Sequence, residues 1–246
     1  MNTQHDLTGL NFTEGYIAVI DKPLYWTSAD VVRKIKYALR RCGYRKIKVG
    51  HAGTLDPLAS GVLLVCIGKA TKLVDQLQAE EKEYVADIRF GATTPSYDKE
   101  HTIDFTYPWR HITPSMIDEA LRSLSGERLQ SPPLYSAKKV EGLRAYEIAR
   151  AGETVELRQS LINIYEMQVE QMKLPDLKLR VRCSRGTYIR SLADELGRAC
   201  QSGAHLTSLR RTRSGGFTVE NGWQLTDFLE QLAMLEEKKL DEAETK

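Results

Sequence analysis

Apolar residues recur along this chain in two periods, and the switches between them outline its elements. Tyr16–Ile20 (YIAVI) is a short apolar run closed by Asp21-Lys22-Pro23. It predicts a buried strand that stops where proline cannot extend the ladder. Thr27 or Ser28 can cap a following helix, in which Val31, Val32, Ile35, Ala38 and Leu39 recur at three and four residues up to about Arg41. Gly43 ends that pattern. A glycine-rich loop over residues 49–61 leads into an apolar strand over 62–67, and a helix is expected from Ala70 to Leu77. From Lys82 to Gly91, Tyr84, Ala86, Ile88 and Phe90 alternate with Val85, Asp87 and Arg89, the period of a half-exposed strand.

Residues 92–112 are polar and irregular and predict a long loop. Thr113-Pro114 opens a helix expected to end at Gly126, with proline in the first helical position. Residues 127–142 read as a proline-containing segment and a turn, and Arg144–Ala151 as a helix stopped by Gly152. Leu177, Leu179, Val181 and Cys183 alternate with Lys178, Arg180, Arg182 and Ser184, which predicts a strand with a basic face. Helices are expected over Arg190–Cys200 and Leu225–Leu235. No fixed-period repeat and no linker rich in Gly, Ser or Pro divides the chain, so the pattern predicts one α+β domain with a mixed sheet.

Composition narrows the class. With 246 residues, 41% hydrophobic and 28% charged, the chain can bury a sizeable core. Its longest apolar run, Val62–Ile67, falls far short of the roughly twenty residues that span a bilayer, which excludes an integral membrane protein. The start, MNTQHDLTG, has neither the charged end nor the apolar stretch of a signal peptide. Cys42, Cys66, Cys183 and Cys200 are widely spaced, with no CxxC pair and no metal-ligand spacing to histidine. A cytoplasmic protein with no metal is expected.

Charge changes the picture more. Thirty-five basic and 33 acidic residues leave a net +2, but they are unevenly spread. Residues 31–55 hold Arg33, Lys34, Lys36, Arg40, Arg41, Arg45, Lys46 and Lys48 and no acid, and residues 178–213 are also strongly basic. Residues 220–246 are acidic, and a disordered tail is expected over 236–246. On charge alone two readings stand level: a surface for a polyanion such as nucleic acid, or simple solvation of helix faces.

Nucleotide-cofactor motifs fail. Gly68-Lys69 resembles the end of a phosphate-binding loop, but Leu63 stands where that loop needs glycine and Ala70 where it needs Ser or Thr. No Gly-x-Gly-x-x-Gly follows a strand, and no HExxH is present. The informative stretch is Gly50–Gly61. Asp56 precedes Pro57, whose ring holds the aspartate backbone extended, so a carboxylate on this loop can be aimed. The plain alternative is a turn in which Asp56 bonds only its own backbone.

Gly50–Gly61 with Val62-Leu63 resembles the GHxGTLDPxAxGxL signature of the tRNA pseudouridine synthase B family. Further matches follow in order: Asp21-Lys22-Pro23 with Thr27-Ser28 (KPxGxTS), Lys82-Glu83-Tyr84 with Phe90-Gly91, Ser131–Lys139 (QxPPxYSAxK), Arg182–Leu192 (CxxGTYIRxL), and Gly203–Leu206 with Leu209–Arg211. The similarity spans roughly residues 15–230. The first motif's glycine is replaced, since Lys-Pro is followed by Leu24-Tyr25-Trp26.

The resemblance implies the pseudouridine synthase fold: one α+β domain with a large mixed, mainly antiparallel sheet flanked by helices and loops. It implies a catalytic domain over residues 1–235 and, because only an acidic tail follows, no RNA-binding PUA domain. The implied activity is isomerisation of the T-loop uridine conventionally numbered 55, with the tRNA T-arm as partner, a monomeric enzyme, and no cofactor. Asp56 is implied as catalytic, with His51, Tyr84, Tyr188 and Leu209 binding substrate and Arg190, Lys22 and Lys72 supporting. Without the motifs, the pattern favours Tyr84 as a half-buried strand residue and Arg190 as a helix-face arginine, and core packing of Leu209 stands nearly level with a substrate contact. A non-catalytic RNA-binding or tRNA-folding protein is the competing reading.

Overall fold

The computed structural model describes residues 6–135, 139–140, 143–144 and 157–244. In chain order the elements are β1 Tyr16–Lys22, α1 Ser28–Arg41, β2 Val49–Ala52, β3 Ala59–Ile67, a 3-10 turn Gly68–Leu73, and α2 Val74–Ala79. Then come β4 Lys82–Phe90, β5 Ala92–Thr93, β6 Phe105–Thr106, α3 Pro114–Leu124, β7 Gly126–Gln130, β8 Lys139–Val140 and β9 Leu143–Arg144. The chain continues through β10 Ser160–Lys173, β11 Asp176–Cys183, α4 Ile189–Ala199, β12 Ala204–Ser214, β13 Phe217–Thr218, β14 Trp223–Gln224 and α5 Leu225–Glu244. Two compact units divide these elements: residues 1–80 with 210–246, and residues 81–209.

The first unit is built on β3. Its antiparallel partner β1 runs in unbroken register from Tyr16 opposite Ile67 to Lys22 opposite Gly61, and β14 adds to β1 in parallel. β2 pairs with β3 from Val49 opposite Ile67 to Ala52 opposite Leu64. β3 is buried on both faces, which explains why it reads as a continuous apolar run. One face packs with α1 and α5 around Ile20, Val31, Ile35, Leu39, Leu63, Val65, Phe228 and Leu232. The four-residue spacing of Val31, Ile35 and Leu39 puts one stripe of α1 into that core and leaves Arg33, Lys34, Arg40 and Arg41 on the exposed side. Thr27 starts α1 with a capping box: its hydroxyl accepts from the Asp30 N–H, and its own N–H donates to the Asp30 carboxylate.

In the second unit β4 pairs antiparallel with β11, placing Tyr84 opposite Val181 and Ile88 opposite Leu177. β10 follows on the far side of β11, and β7 on the far side of β10. The expected alternations hold: Tyr84, Ala86, Ile88 and Phe90 are buried on β4, and Leu177, Leu179, Val181 and Cys183 on β11. The α+β class and the mainly antiparallel mixed pairing are those expected.

Several local expectations are corrected. Residues 49–52 form strand β2 rather than part of a loop, and residues 126–130 form β7 rather than part of a turn segment. Residues 92–112 are irregular except for the short β5–β6 ladder. α5 runs to Glu244, so the tail expected to be disordered from residue 236 is helical through that point. Arg41 Nε donates to the Glu236 carboxylate at 3.0 Å, tying this helix to α1. The helix expected over 144–151 begins instead with Arg144 in β9, and its remainder lies outside the described residues.

Candidate active site

Asp56 sits in the connection between β2 and β3, half-buried. The sequence builds that connection from three anchors. The Ser28 hydroxyl accepts from the Leu55 N–H at 2.9 Å and donates to the Leu55 carbonyl at 3.1 Å, fixing the residue before the aspartate to the first turn of α1. Arg211, 1% exposed, donates to the Val62 carbonyl at 2.7 Å and the Gly53 carbonyl at 3.0 Å, tying the two ends of the connection together. The Asp56 carbonyl accepts from the Ala59 N–H at 3.0 Å, closing the turn through Pro57. Gly61 is required by this arrangement. Its φ of +101° is left-handed, and a Cβ there would stand 2.1 Å from the Arg211 carbonyl oxygen.

Lys22 ends β1 with no exposed surface, its ammonium donating to the carbonyls of Pro23 at 2.8 Å and Trp26 at 2.6 Å. Burial lowers its pKa to about 8, against the opposing pull of the Asp56 carboxylate. Lys22 and Asp56 therefore act on each other electrostatically. Beside them Arg210 grips Asp21 with two hydrogen bonds of 3.0 and 2.7 Å, and also donates to the Ser60 hydroxyl at 3.2 Å. His51 lies on β2 opposite Val65. Its Nδ1 is buried without a hydrogen-bond partner, and burial, then the Arg211 cation, hold the imidazole below its ordinary pKa. Lys72 stands apart, exposed on the 3-10 turn.

Tyr25 occupies the position that glycine takes in KPxGxTS. Its φ of 67° is left-handed, a conformation in which glycine is sterically easier, and its N–H donates to the Pro57 carbonyl at 2.8 Å. Tyr25 therefore sits in this loop at a local steric cost.

In the second unit, Tyr84 is 9% exposed on β4, and Tyr188 is the residue before α4. Gln130 holds Tyr188 by accepting from its N–H at 2.8 Å and donating to its carbonyl at 3.2 Å. Arg190, 4% exposed in the first turn of α4, donates to the carbonyls of Ser96 at 3.2 Å and Tyr135 at 2.9 Å. Its Nε lies 3.8 Å from the Asp98 carboxylate. Leu209 is half-buried near the end of β12's segment in this unit. Lys22, His51 and Asp56 are thus gathered in one unit, and Tyr84, Tyr188, Arg190 and Leu209 belong to the other.

The two basic blocks differ in fate. Arg180 pairs with Glu83 at 2.7 Å and hydrogen-bonds Glu170 at 2.8 Å, Arg182 pairs with Glu81 and Glu166, and Lys178 with Asp87. With Arg198 on Asp194 and Arg210 on Asp21, most of the basic side chains in the 178–213 block are ion-paired, and Arg211 is buried on backbone carbonyls. On the 31–55 block, Arg33 pairs with Asp30 and Arg41 with Glu236, while Lys34, Arg40, Arg45, Lys46 and Lys48 are exposed. Among the described residues no cluster of His, Cys, Asp or Glu could hold a metal ion, and no helix is long and apolar enough to cross a membrane.

Residues 40–189 match the N-terminal domain of the TruB family of pseudouridylate synthases, and residues 190–244 match the C-terminal domain of tRNA pseudouridylate synthase B. The chain belongs to the TruB family of pseudouridylate synthases. A TruB protein of Phocaeicola vulgatus named tRNA pseudouridine synthase B is 52% identical over 91% of this chain and 95% of its own length. One of Parabacteroides distasonis with the same name is 50% identical over 94% of this chain and all of its own length. Among solved structures, a chain of a Cbf5-Nop10-Gar1 complex matches with a TM-score of 0.68 and 33% identity over 89% of this chain. A chain of an H/ACA RNP bound to a substrate RNA containing 2'-deoxyuridine matches with a TM-score of 0.66 and 30% identity over 91% of this chain. This chain spans about half of each, 54% and 55%.

Sequence reasoning singled out Asp56 and Lys22 but missed Ser28 and Arg211, which fix the Asp56 connection. Ser28 and Arg211 both lie inside the matched motifs, and their burial is the signal that a motif alone does not carry.

Proposed function

We infer that this chain is a tRNA pseudouridine synthase that isomerises the T-loop uridine numbered 55, with Asp56 as its catalytic residue. The Asp56 connection carries the reading: a half-buried carboxylate, its backbone fixed by Ser28 and Arg211, acting on the buried cation of Lys22. In this reading the N1–C1′ bond of uridine breaks, the uracil turns, and C5 bonds to C1′. The C5 proton leaves and N1 gains one, so atoms balance with no redox change and no cofactor.

The target base must leave the RNA stack before it reacts, at an unpairing cost of a few kcal/mol. On the family resemblance, Tyr84 stacks on the uracil, an interaction of about 1–3 kcal/mol. Tyr188 and Leu209 exclude water, His51 enters the opened T-loop, and Arg190, Lys22 and Lys72 act in support. We take the T-arm as partner, the single chain as the acting unit and the cytoplasm as its compartment. The four buried free cysteines fit that compartment.

Mapping pseudouridine in tRNA from cells with and without this protein tests the reading. Loss of pseudouridine at position 55 alone is expected. An unchanged map contradicts the enzyme and favours the non-catalytic RNA-binding alternative.

A further inference from the structure

We propose that the groove beside the Asp56 connection, lined by Tyr25, Trp26, Asp30, Arg33, Lys34 and Tyr37, is a subsite for an RNA strand adjoining the target uridine. The proposal rests on the reading that the substrate is RNA. The groove is shallow and open, with about 530 Å³ of space along it, the form of a surface on which a strand lies rather than a closed small-ligand pocket.

Its chemistry is that of a stacking platform with charge. Tyr25 and Tyr37 are 78% and 62% exposed, and the Arg33 and Lys34 side chains are exposed beside them. Aromatic faces next to cations are how proteins hold single-stranded nucleic acid, the rings taking bases and the cations phosphates. The one acid among the lining residues is already engaged. One Asp30 oxygen accepts from the Thr27 N–H and hydroxyl, and the other from Arg33.

Tyr25 supplies the second observation. It is held at a φ of 67°, where glycine is sterically easier, yet its ring gains almost no burial in return. Packing therefore does not account for an aromatic residue here. Its N–H bonds the carbonyl of Pro57, the residue after Asp56, so whatever stacks on Tyr25 lies next to the connection that carries the carboxylate. On the same unit Arg40, Arg45, Lys46 and Lys48 are also exposed, so the face around α1 carries a dense cationic charge.

The test measures the affinity of a synthetic T-arm stem-loop for variants made in the Asp56→Asn background, where binding is read without turnover. Tyr25→Gly and Tyr37→Ala should each weaken binding about tenfold. Phe105→Ala, which removes an exposed ring of the other unit, should not. Lys34→Glu should weaken binding and reduce the slope of log affinity against log salt by about 0.7–0.9, as for one lost phosphate contact. Folded Tyr25→Gly and Tyr37→Ala proteins that bind the RNA as tightly as their parent overturn the proposal, including if they lose a protein partner instead. A wild-type protein that binds the stem-loop through these residues but forms no pseudouridine would refute the enzyme reading and leave the subsite standing.

Discussion

Ser28 and Leu55 are joined by two hydrogen bonds through a single hydroxyl, which accepts from the Leu55 N–H and donates to its carbonyl. Both residues are buried, at 2% and 4% exposure, so water does not replace the hydroxyl when it is removed. Ser28→Ala should lower stability by about 1–3 kcal/mol, the cost of an unsatisfied buried amide. It should also reduce turnover at saturating tRNA, because residue 55 sets the backbone of Asp56. Urea unfolding and single-turnover kinetics check the two effects.

Lys22 makes stability depend on alkaline pH. Its pKa is about 8 in the folded protein against 10.5 when free. Below pH 8 both states are protonated and the full cost of burying the ammonium is present. Between about 8 and 10.5 the unfolded chain holds a proton that the folded one has released, so the Lys22 contribution to stability rises with pH. Wild type minus Lys22→Met should therefore rise across that window in denaturant titrations, and a flat or falling difference would contradict the assignment.

Tyr25 separates conformational from functional demands. Tyr25→Gly removes a left-handed strain of about 1–2 kcal/mol and adds about 0.5–1 kcal/mol of unfolded-state entropy. Its stability should be equal to wild type or up to about 1.5 kcal/mol higher. Tyr25→Val, with a branched Cβ at the same φ, should be less stable than wild type. Thermal unfolding of the pair decides it.

The two basic blocks should respond oppositely to charge reversal. Converting Lys34, Arg40 and Arg45 to glutamate should raise KM for tRNA strongly, with little loss of stability, because these side chains are exposed. Arg180→Glu breaks contacts with Glu83 and Glu170 and should lower stability while shifting KM little. Paired kinetics and unfolding curves of the two variants provide the check.

What could be read in the sequence follows from which periods stay unbroken. Val31, Ile35 and Leu39 mark α1 and Tyr84, Ala86 and Ile88 mark β4 because each pattern meets a single core face. β10 was not legible, since register shifts between Ile164 and Glu166 and between Val169 and Gln171 break the two-residue period. The motifs name Asp56 and Lys22 along the chain, but not the burial of Lys22 or its electrostatic link to Asp56. The charge surface was not legible. Arg180 and Arg182 look like free cations along the chain, and only strand pairing brings Glu81, Glu83, Glu166 and Glu170 beside them. Glu83 and Glu81 lie 97 and 101 residues from Arg180 and Arg182, beyond any local window.

Asp56→Asn is the most direct measurement. The substitution keeps the side chain's shape, removes its charge and basicity, and turns one acceptor oxygen into an NH2 donor. The purified variant, assayed on a T-arm stem-loop, should form no detectable pseudouridine while binding the RNA within a few fold of wild type. Measurable turnover by Asp56→Asn would remove this carboxylate from the chemistry and contradict the account.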